Sequence, residues 1–334
     1  MSFCVKKEEK RAYKIKVLKN IILVILSLLF FLGTLSAKEI SWKELNSKVV
    51  QLYQQRRYTE GIKIAKEALR VAKERFGPGH PNVAQSLNNL GLLYHAKGRL
   101  SEAESFYKQA LKIRKKCFGE NHTDVAQSLN NLAGLYYSEG RYDKAEPLYK
   151  KALLIREKAL GADHPAVATV LNNLAGLYRV KEKYKKAESL YKKALKIREK
   201  AFGLDHPVVA TSLNNLAGLY RAKGEYKKAE PLYERALKIR EKYFGKNNLH
   251  VATSLNNLAL VYKSEGKYDK AEKLYKRALS IFEKTLGSEH PILAIVLENI
   301  AELYKKLGKE KEAKRFEERA RKIRFKNRDK KDNH

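Results

Sequence analysis

The side chains in this 334-residue chain best suited to move protons or hold a metal are histidines. Five fall in matching places, His80, His122, His164, His206 and His290, and four of them precede a proline. A zinc site needs three or four ligands converging on one point. These histidines stand a full 42 residues or more apart, one at a time, so the spacing predicts capping or packing at chain links rather than a metal centre. Cys117 is equally solitary, and its counterparts are Ala159, Ala201, Tyr243 and Thr285, which reads as a tolerated position near a helix end. No Walker loop, glycine-rich dinucleotide turn, zinc-protease helix or nucleophile elbow is present. The expectation is a chain without catalysis, cofactor or metal.

The polar chemistry that does repeat is amide chemistry. Asparagine pairs recur every 42 residues at Asn88/Asn89, Asn130/Asn131, Asn172/Asn173, Asn214/Asn215 and Asn256/Asn257, and Glu298/Asn299 is a sixth, altered copy. A carboxamide offers two donors and one acceptor oxygen, enough to hold a peptide backbone without demanding particular side chains. Two roles stay open for these residues: contact with a ligand, or hydrogen bonds to neighbouring helices and links.

The elements that position them follow from the period. In the copy starting at Val125, Leu129, Leu132, Ala133 and Tyr136 lie at i, i+3, i+4 and i+7, one stripe of a first helix. Gly140 follows where a residue of positive φ ends a helix, and Gly98, Gly224, Gly266 and Gly308 hold the same place. Glu182 replaces that glycine in the next copy, at a predicted cost of about 1 kcal/mol. A second helix carries Ala145, Leu148, Tyr149, Ala152, Leu153 and Arg156 on one stripe, with Pro147 and Pro231 expected in its first turn. A glycine such as Gly161 or Gly203 closes it. A fixed period of this size points to a stacked repeat array, a single domain in which neighbouring hairpins supply the core.

The pattern closely resembles the tetratricopeptide repeat, through Leu132, Ala133, Tyr136, Gly140, Tyr142, Ala145, Tyr149 and Ala152. The 42-residue period, the asparagine pair and the Ala-Leu-x-Ile-Arg-Glu-Lys ending are most similar to the longer variant of kinesin light chains and many bacterial repeat proteins. The family's usual tryptophan is leucine here, as at Leu87, Leu129 and Leu213. The resemblance spans residues 43–325 and implies an all-α, right-handed α-solenoid of about seven helix-turn-helix repeats. The first repeat is degenerate, with Ser47 and Lys48 replacing part of the Asn-Asn-Leu core. The last is a polar cap whose helix runs into a basic tail, 326–334.

The resemblance also implies a concave groove lined by the first helices. Gln127, Asn130, Asn131, Gly134 and Tyr137 would face it in one copy, apart from the Leu132/Tyr136 stripe. One turn beyond the asparagines the residue changes from His95 and Tyr137 to Arg179, Arg221, Lys263 and Lys305, so the groove should become basic toward its C-terminal half. The implied site residues are the six copies of the asparagine column, Asn88 to Asn257 in pairs and Asn299, with Tyr137, Arg179, Arg221 and Lys263. Tyr94, Tyr136, Tyr178, Tyr220, Tyr262 and Tyr304 belong to the core stripe.

Composition and ends restrict the partner. Hydrophobic residues make up 44% of the chain, too many for disorder despite 32% charged residues. The formal charge of +33 favours an acidic protein or peptide, although most lysines, such as Lys192, Lys193 and Lys196, fall on the outer face of second helices. Residues 1–37 hold a basic segment, the apolar run Ile21 to Leu32 and a Leu35-Ser36-Ala37 cleavage signature. They read as a signal peptide of an exported protein; an uncleaved anchor, with membrane association through residues 20–37, is the second reading. Three functions follow: a non-enzymatic interaction scaffold binding an extended acidic segment, a membrane-tethered envelope organiser, and a nucleic-acid binder. The last rests on charge alone, and export and core-bound tyrosines argue against it.

Overall fold

The computed structural model describes residues 41–332. All regular structure among them is α-helical, in hairpins of one shorter and one longer helix. Hairpin 1 is α1 (Trp42–Gln54) and α2 (Tyr58–Phe76), hairpin 2 is α3 (Pro81–Ala96) and α4 (Leu100–Phe118), and hairpin 3 is α5 (Thr123–Ser138) and α6 (Tyr142–Leu160). Hairpin 4 is α7 (Pro165–Val180) and α8 (Tyr184–Phe202), and hairpin 5 is α9 (Pro207–Ala222) and α10 (Tyr226–Phe244). Hairpin 6 is α11 (Leu249–Ser264) and α12 (Tyr268–Leu286), and hairpin 7 is α13 (Pro291–Lys306) and α14 (Glu310–Asp332). The expected signal or anchor, residues 1–37, lies outside the described residues. Among those described, no helix is long and apolar enough to cross a membrane. Residues 326–332 continue α14, so most of the basic tail is helical.

Two compact units divide at Leu93/Tyr94. The first holds hairpin 1 and most of α3. Its core is Leu45, Val49, Leu52, Ala65, Ala68 and Val71. Ser41 and Glu44 form a capping box on α1. Gly61, in the first turn of α2, packs so closely that a Cβ there would come within 2.7 Å of Leu93 Cδ2.

In the second unit each first helix packs on its own second helix and on the second helix before it. First helices α5, α7, α9, α11 and α13 also approach one another closely in sequence, whereas consecutive second helices stand further apart and meet through long side chains, as in Lys193–Glu157 at 2.9 Å and Arg235–Glu199 at 2.7 Å. The first helices therefore line the inner side of this stack. The predicted stripes form the core: Leu132, Ala133, Ala145, Tyr149 and Ala152 are at most 5% exposed and the tyrosines from Tyr94 to Tyr304 5–6%, while Leu148, Leu153 and Arg156 of the second-helix stripe are half-buried. Each buried leucine of this kind contributes about 2 kcal/mol, and each alanine methyl less than about 1 kcal/mol.

Polar clasps join consecutive hairpins. Arg198 of α8 donates to Ser212 Oγ of α9 at 2.9 Å, and Arg240 of α10 donates to Ser254 Oγ of α11 at 2.7 Å. Arg114 reaches Ser128 Oγ at 3.0 Å, and Arg156, which faces Val170 instead of serine, donates to the Ala166 carbonyl at 2.8 Å. Burial pushes all four guanidinium pKa values down. The core tyrosines form a second clasp, because Tyr136, Tyr178, Tyr220 and Tyr304 donate to Glu104, Glu146, Glu188 and Glu272 of the preceding second helix, 2.8–3.2 Å away.

The histidine links behave as expected. His122, His164, His206 and His290 cap first helices, their Nδ1 atoms accepting backbone N–H groups two residues on at 3.1–3.3 Å. Among the described residues no cluster can hold a metal. Glu182 adopts φ +55°, as its place in the glycine column requires, and Arg56 does the same in hairpin 1 at φ +59°. One expectation changes: Pro147 and Pro231 stand at the sixth residue of α6 and α10, beyond the first turn. Each removes an intrahelical hydrogen bond, at an exposed position where water can satisfy the freed carbonyl.

Candidate functional site

The asparagine column is a hydrogen-bonded row between hairpins. The second asparagine of one hairpin donates through Nδ2 to Oδ1 of the first asparagine in the hairpin before it. Asn173 reaches Asn130 at 2.9 Å, Asn215 reaches Asn172 at 3.4 Å, Asn257 reaches Asn214 at 2.9 Å, and Asn299 reaches Asn256 at 3.1 Å. In the first unit Asn89 likewise donates to Asn46 at 2.8 Å, and Asn88 and Asn89 are buried. Asn46 was legible as the counterpart of Asn88, 42 residues earlier, but its neighbours Ser47 and Lys48 obscured the match.

Much of the amide capacity is thus spent on the fold. Asn172 is 6% exposed, donates to the Ala168 carbonyl and to Ser212 Oγ, and accepts from Asn215. Asn130, Asn131, Asn173, Asn214, Asn215, Asn256, Asn257 and Asn299 are half-buried. These half-buried amides lie on a partly open face, so inter-hairpin bonding and ligand contact can coexist there.

One turn along, the column that begins at His95 divides into three chemistries. His95 is half-buried against Ser138 Oγ at 2.9 Å, and burial pushes its pKa down against an opposing pull from Glu139. Tyr137 packs on Tyr142 with ring centroids 5.7 Å apart. Arg179 and Arg221 are half-buried and lie within hydrogen-bonding reach of the Tyr191 and Tyr233 hydroxyls. Burial raises the pKa of both phenols, so they remain protonated at neutral pH. Lys263 is 14% exposed and held by Glu302 at 2.6 Å, and Lys305 is held by Glu317 at 2.5 Å.

Sequence reasoning therefore placed the cations on one face but misjudged where their charge is available. Glu302 occupies the place of Gly134, Gly176 and Gly218, and Glu317 that of Tyr149, Tyr191 and Tyr233. Those substitutions carried the missing signal, because a carboxylate within reach of an ammonium cancels most of its local field. Among the described residues neither Arg179 nor Arg221 has a carboxylate partner. The uncompensated charge sits in hairpins 4 and 5, in the middle of the row.

An open depression of about 860 Å³ lies elsewhere, at the turn of hairpin 5 around Tyr226, Lys227 and Lys228. Its other charges pair among themselves, Lys228 with Glu225 and Lys267 with Glu230 and Glu265, at 2.8–2.9 Å, and Lys227 is solvent-exposed. It offers no charge to a ligand comparable to the arginine pair.

A family model for the tetratricopeptide repeat matches residues 45–116, 124–200, 167–242 and 250–324. The chain belongs to the tetratricopeptide repeat family. Among solved structures it is similar to BtubC (BKLC) from P. vanneervenii, at 28% identity and TM-score 0.56 over 73% of this chain and 92% of that one. A putative kinesin light chain of Podosopora anserina with nearly identical TPR-like repeats is 26% identical, with TM-score 0.52 over 62% and 98% of the two chains. These neighbours support the kinesin-light-chain-like character of the repeat. The Rap conjugation gene regulator of plasmid pLS20, in complex with the Phr* peptide, shares the fold at 17% identity and TM-score 0.65, over 85% and 74%. No curated protein matches the chain.

Proposed function

We propose that this protein is a non-enzymatic interaction scaffold that holds an extended acidic peptide segment against the first helices of its repeats. The observation that carries this reading is the uncompensated pair Arg179 and Arg221, half-buried on the inner row beside the partly open amides of Asn173, Asn214 and Asn215. Amides at one-repeat intervals suit the evenly spaced polar groups of an extended backbone. The arginines supply attraction for carboxylates, which weakens as salt rises. Support also comes from the fold neighbour whose structure contains a bound peptide. Residues 1–37 extend the proposal to an exported protein; N-terminal sequencing of fractionated material tests whether they are cleaved or anchor the repeats as an envelope organiser.

The decisive variants are Arg179→Ala and Arg221→Ala together. Asn172 is unsuitable because its amide holds Ser212 and the Ala168 carbonyl, so removing it perturbs the fold as well. Fluorescence anisotropy with a labelled Asp/Glu-rich decapeptide should show binding that falls at least tenfold in the double variant. Unchanged affinity would exclude this face.

A further inference from the structure

A column of carboxylates on the second helices ties each hairpin to the next. Glu157, Glu199, Glu241 and Glu283 pair with Lys193, Arg235, Arg277 and Arg319 of the following second helix at 2.6–2.9 Å. In α14 the place of Glu283, 42 residues on, is taken by Phe325. Among the described residues no further helix lies beyond α14, and Phe325 is 67% exposed. Two more columns change with it. Lys314 stands where Glu104, Glu146, Glu188 and Glu272 accept tyrosine hydroxyls, and Arg321 stands where earlier copies have Leu153, Leu195, Leu237 and Leu279. Columns that are acidic and apolar in the repeats are basic and aromatic in the last hairpin.

Residues 319–326 read Arg-Ala-Arg-Lys-Ile-Arg-Phe-Lys, without a carboxylate, and residues 319–331 carry eight lysines and arginines against Asp329 alone. Arg319, Arg324 and Lys326 are held by Glu283, Glu298 and Glu289. Arg321 and Lys322 are exposed, and among the described residues neither has a carboxylate partner. The nearest carboxylates along α14 are Glu317, tied to Lys305 at 2.5 Å, and Glu318. Arg321, Lys322, Phe325 and Lys326 line one open depression of about 390 Å³, built from a single helix. With no second wall it cannot enclose an anchoring side chain as a protein interface does. The first hairpin of a second copy is a poor occupant too, because residues 41–76 hold nine lysines and arginines against four glutamates. An exposed ring beside unpaired cations on one helix suits an anionic bilayer, where cations meet headgroups and the ring enters the acyl boundary.

We propose that the uncovered face of α14 docks on an anionic lipid surface, with Phe325 inserted at the interface and Arg321 and Lys322 against lipid phosphates. Each lysine or arginine near such a surface adds about 1 kcal/mol of attraction, a tenfold effect for every 1.4 kcal/mol. The face is separate from the inner row of hairpins 4 and 5, so docking stands whether or not that row binds an acidic segment. It also stands whether residues 1–37 are cleaved or retained, because it uses none of them.

The test reads α14 locally in the full chain. Trp42 is the only tryptophan, so Phe325→Trp adds a reporter whose signal is the difference from wild type. Phosphatidylglycerol vesicles with brominated acyl chains should quench the added emission, and vesicles of brominated phosphatidylcholine should not. Adding Arg321→Gln with Lys322→Gln should raise the lipid concentration for half-quenching at least tenfold. Lys185→Gln with Lys186→Gln, the same charge change at the turn of hairpin 4, should leave it within about twofold. Vesicle binding through the apolar run Ile21 to Leu32 alone would leave the added emission unquenched, and that overturns the proposal. Equal quenching by the two lipids, or quenching indifferent to the Arg321 and Lys322 changes, overturns it as well. Without quenching by either lipid, a dimer that Phe325→Ala dissociates would assign the face to a second copy. RNA retention that Phe325→Ala abolishes would assign it to nucleic acid, and either result sinks the lipid reading.

Discussion

Hairpins 4 and 5 and hairpins 6 and 7 share one backbone plan and differ in how they use charge. In the first pair Gly176 and Gly218 leave space, Arg179 and Arg221 keep their field, and Arg198 and Arg240 clasp Ser212 and Ser254. In the second pair Leu260 and Glu302 fill that space, Lys263 and Lys305 are neutralised by carboxylates, and the clasp positions are Phe282 and Val296, each 2% exposed. The same junction can thus be closed by an arginine–serine hydrogen bond or by apolar burial. Fold constrains shape and burial at these columns, while the inner face is free to vary.

The largest effect is expected in acid, where it separates hairpins 2 to 5 from hairpin 6. Glu104, Glu146 and Glu188 are held down to about 2 from 4.5. For Glu104 burial pushes upward but is outweighed by hydrogen bonds from Lys108, Tyr136 and Arg141. For Glu146 and Glu188 the leading causes are Lys150 and Lys192, with Tyr178 and Tyr220 adding to them. A carboxylate depressed in the folded state stabilises fully above its unfolded value near 4.5 and loses that contribution as pH falls through about 2. Urea unfolding should show constant stability above pH about 5 and a decline below about 4.5, and Glu188→Gln should flatten that decline. In hairpin 6 Tyr262 donates instead to Glu234 at 2.8 Å, so Glu230→Gln should alter the acid response less.

Next in size is the clasp. Arg240→Ala removes a buried side chain and strands Ser254 Oγ, for a loss of about 3 kcal/mol in urea unfolding. Importing the hairpin 6 solution, Arg240→Phe with Ser254→Val, should return stability to within about 1 kcal/mol of wild type. A double variant as weak as the single one would show that the two closures are not interchangeable.

Smaller still is a rung of the amide row. Asn257→Ala leaves Asn214 Oδ1 without its donor and should cost about 1 kcal/mol. The smallest effect is a gain: Glu182→Gly relieves a left-handed residue, φ +55°, and should stabilise by about 0.5 kcal/mol in thermal unfolding.

The period made the fold legible because leucine, alanine and tyrosine recur where burial demands them, and the capping histidines followed from their place before first helices. The candidate site was legible only as columns. Residue type identified Asn173, Arg179 and Lys263 as facing one way, but which keep free capacity depends on neighbours one repeat distant. Glu302 silences Lys263 from 39 residues away, and Ser212 engages Asn172 from 40. The arginine that follows isoleucine near the end of most second helices belongs to the predicted helix stripe, at Arg156, and its counterparts Arg114, Arg198 and Arg240 are 2–8% exposed. Its match to serine fourteen residues on was written in the sequence, at Ser128, Ser212 and Ser254, but only as a pairing between columns.

The claim that recognition lies on the inner face of hairpins 4 and 5 is tested most directly by side-chain NMR. Arginine and lysine resonances would be followed while the Asp/Glu-rich decapeptide is added to the full chain. The Nε signals of Arg179 and Arg221 should shift, with those of Lys192, Lys193 and Lys196 on the outer helices unmoved. Shifts confined to the outer lysines, with both arginines silent, would contradict the account.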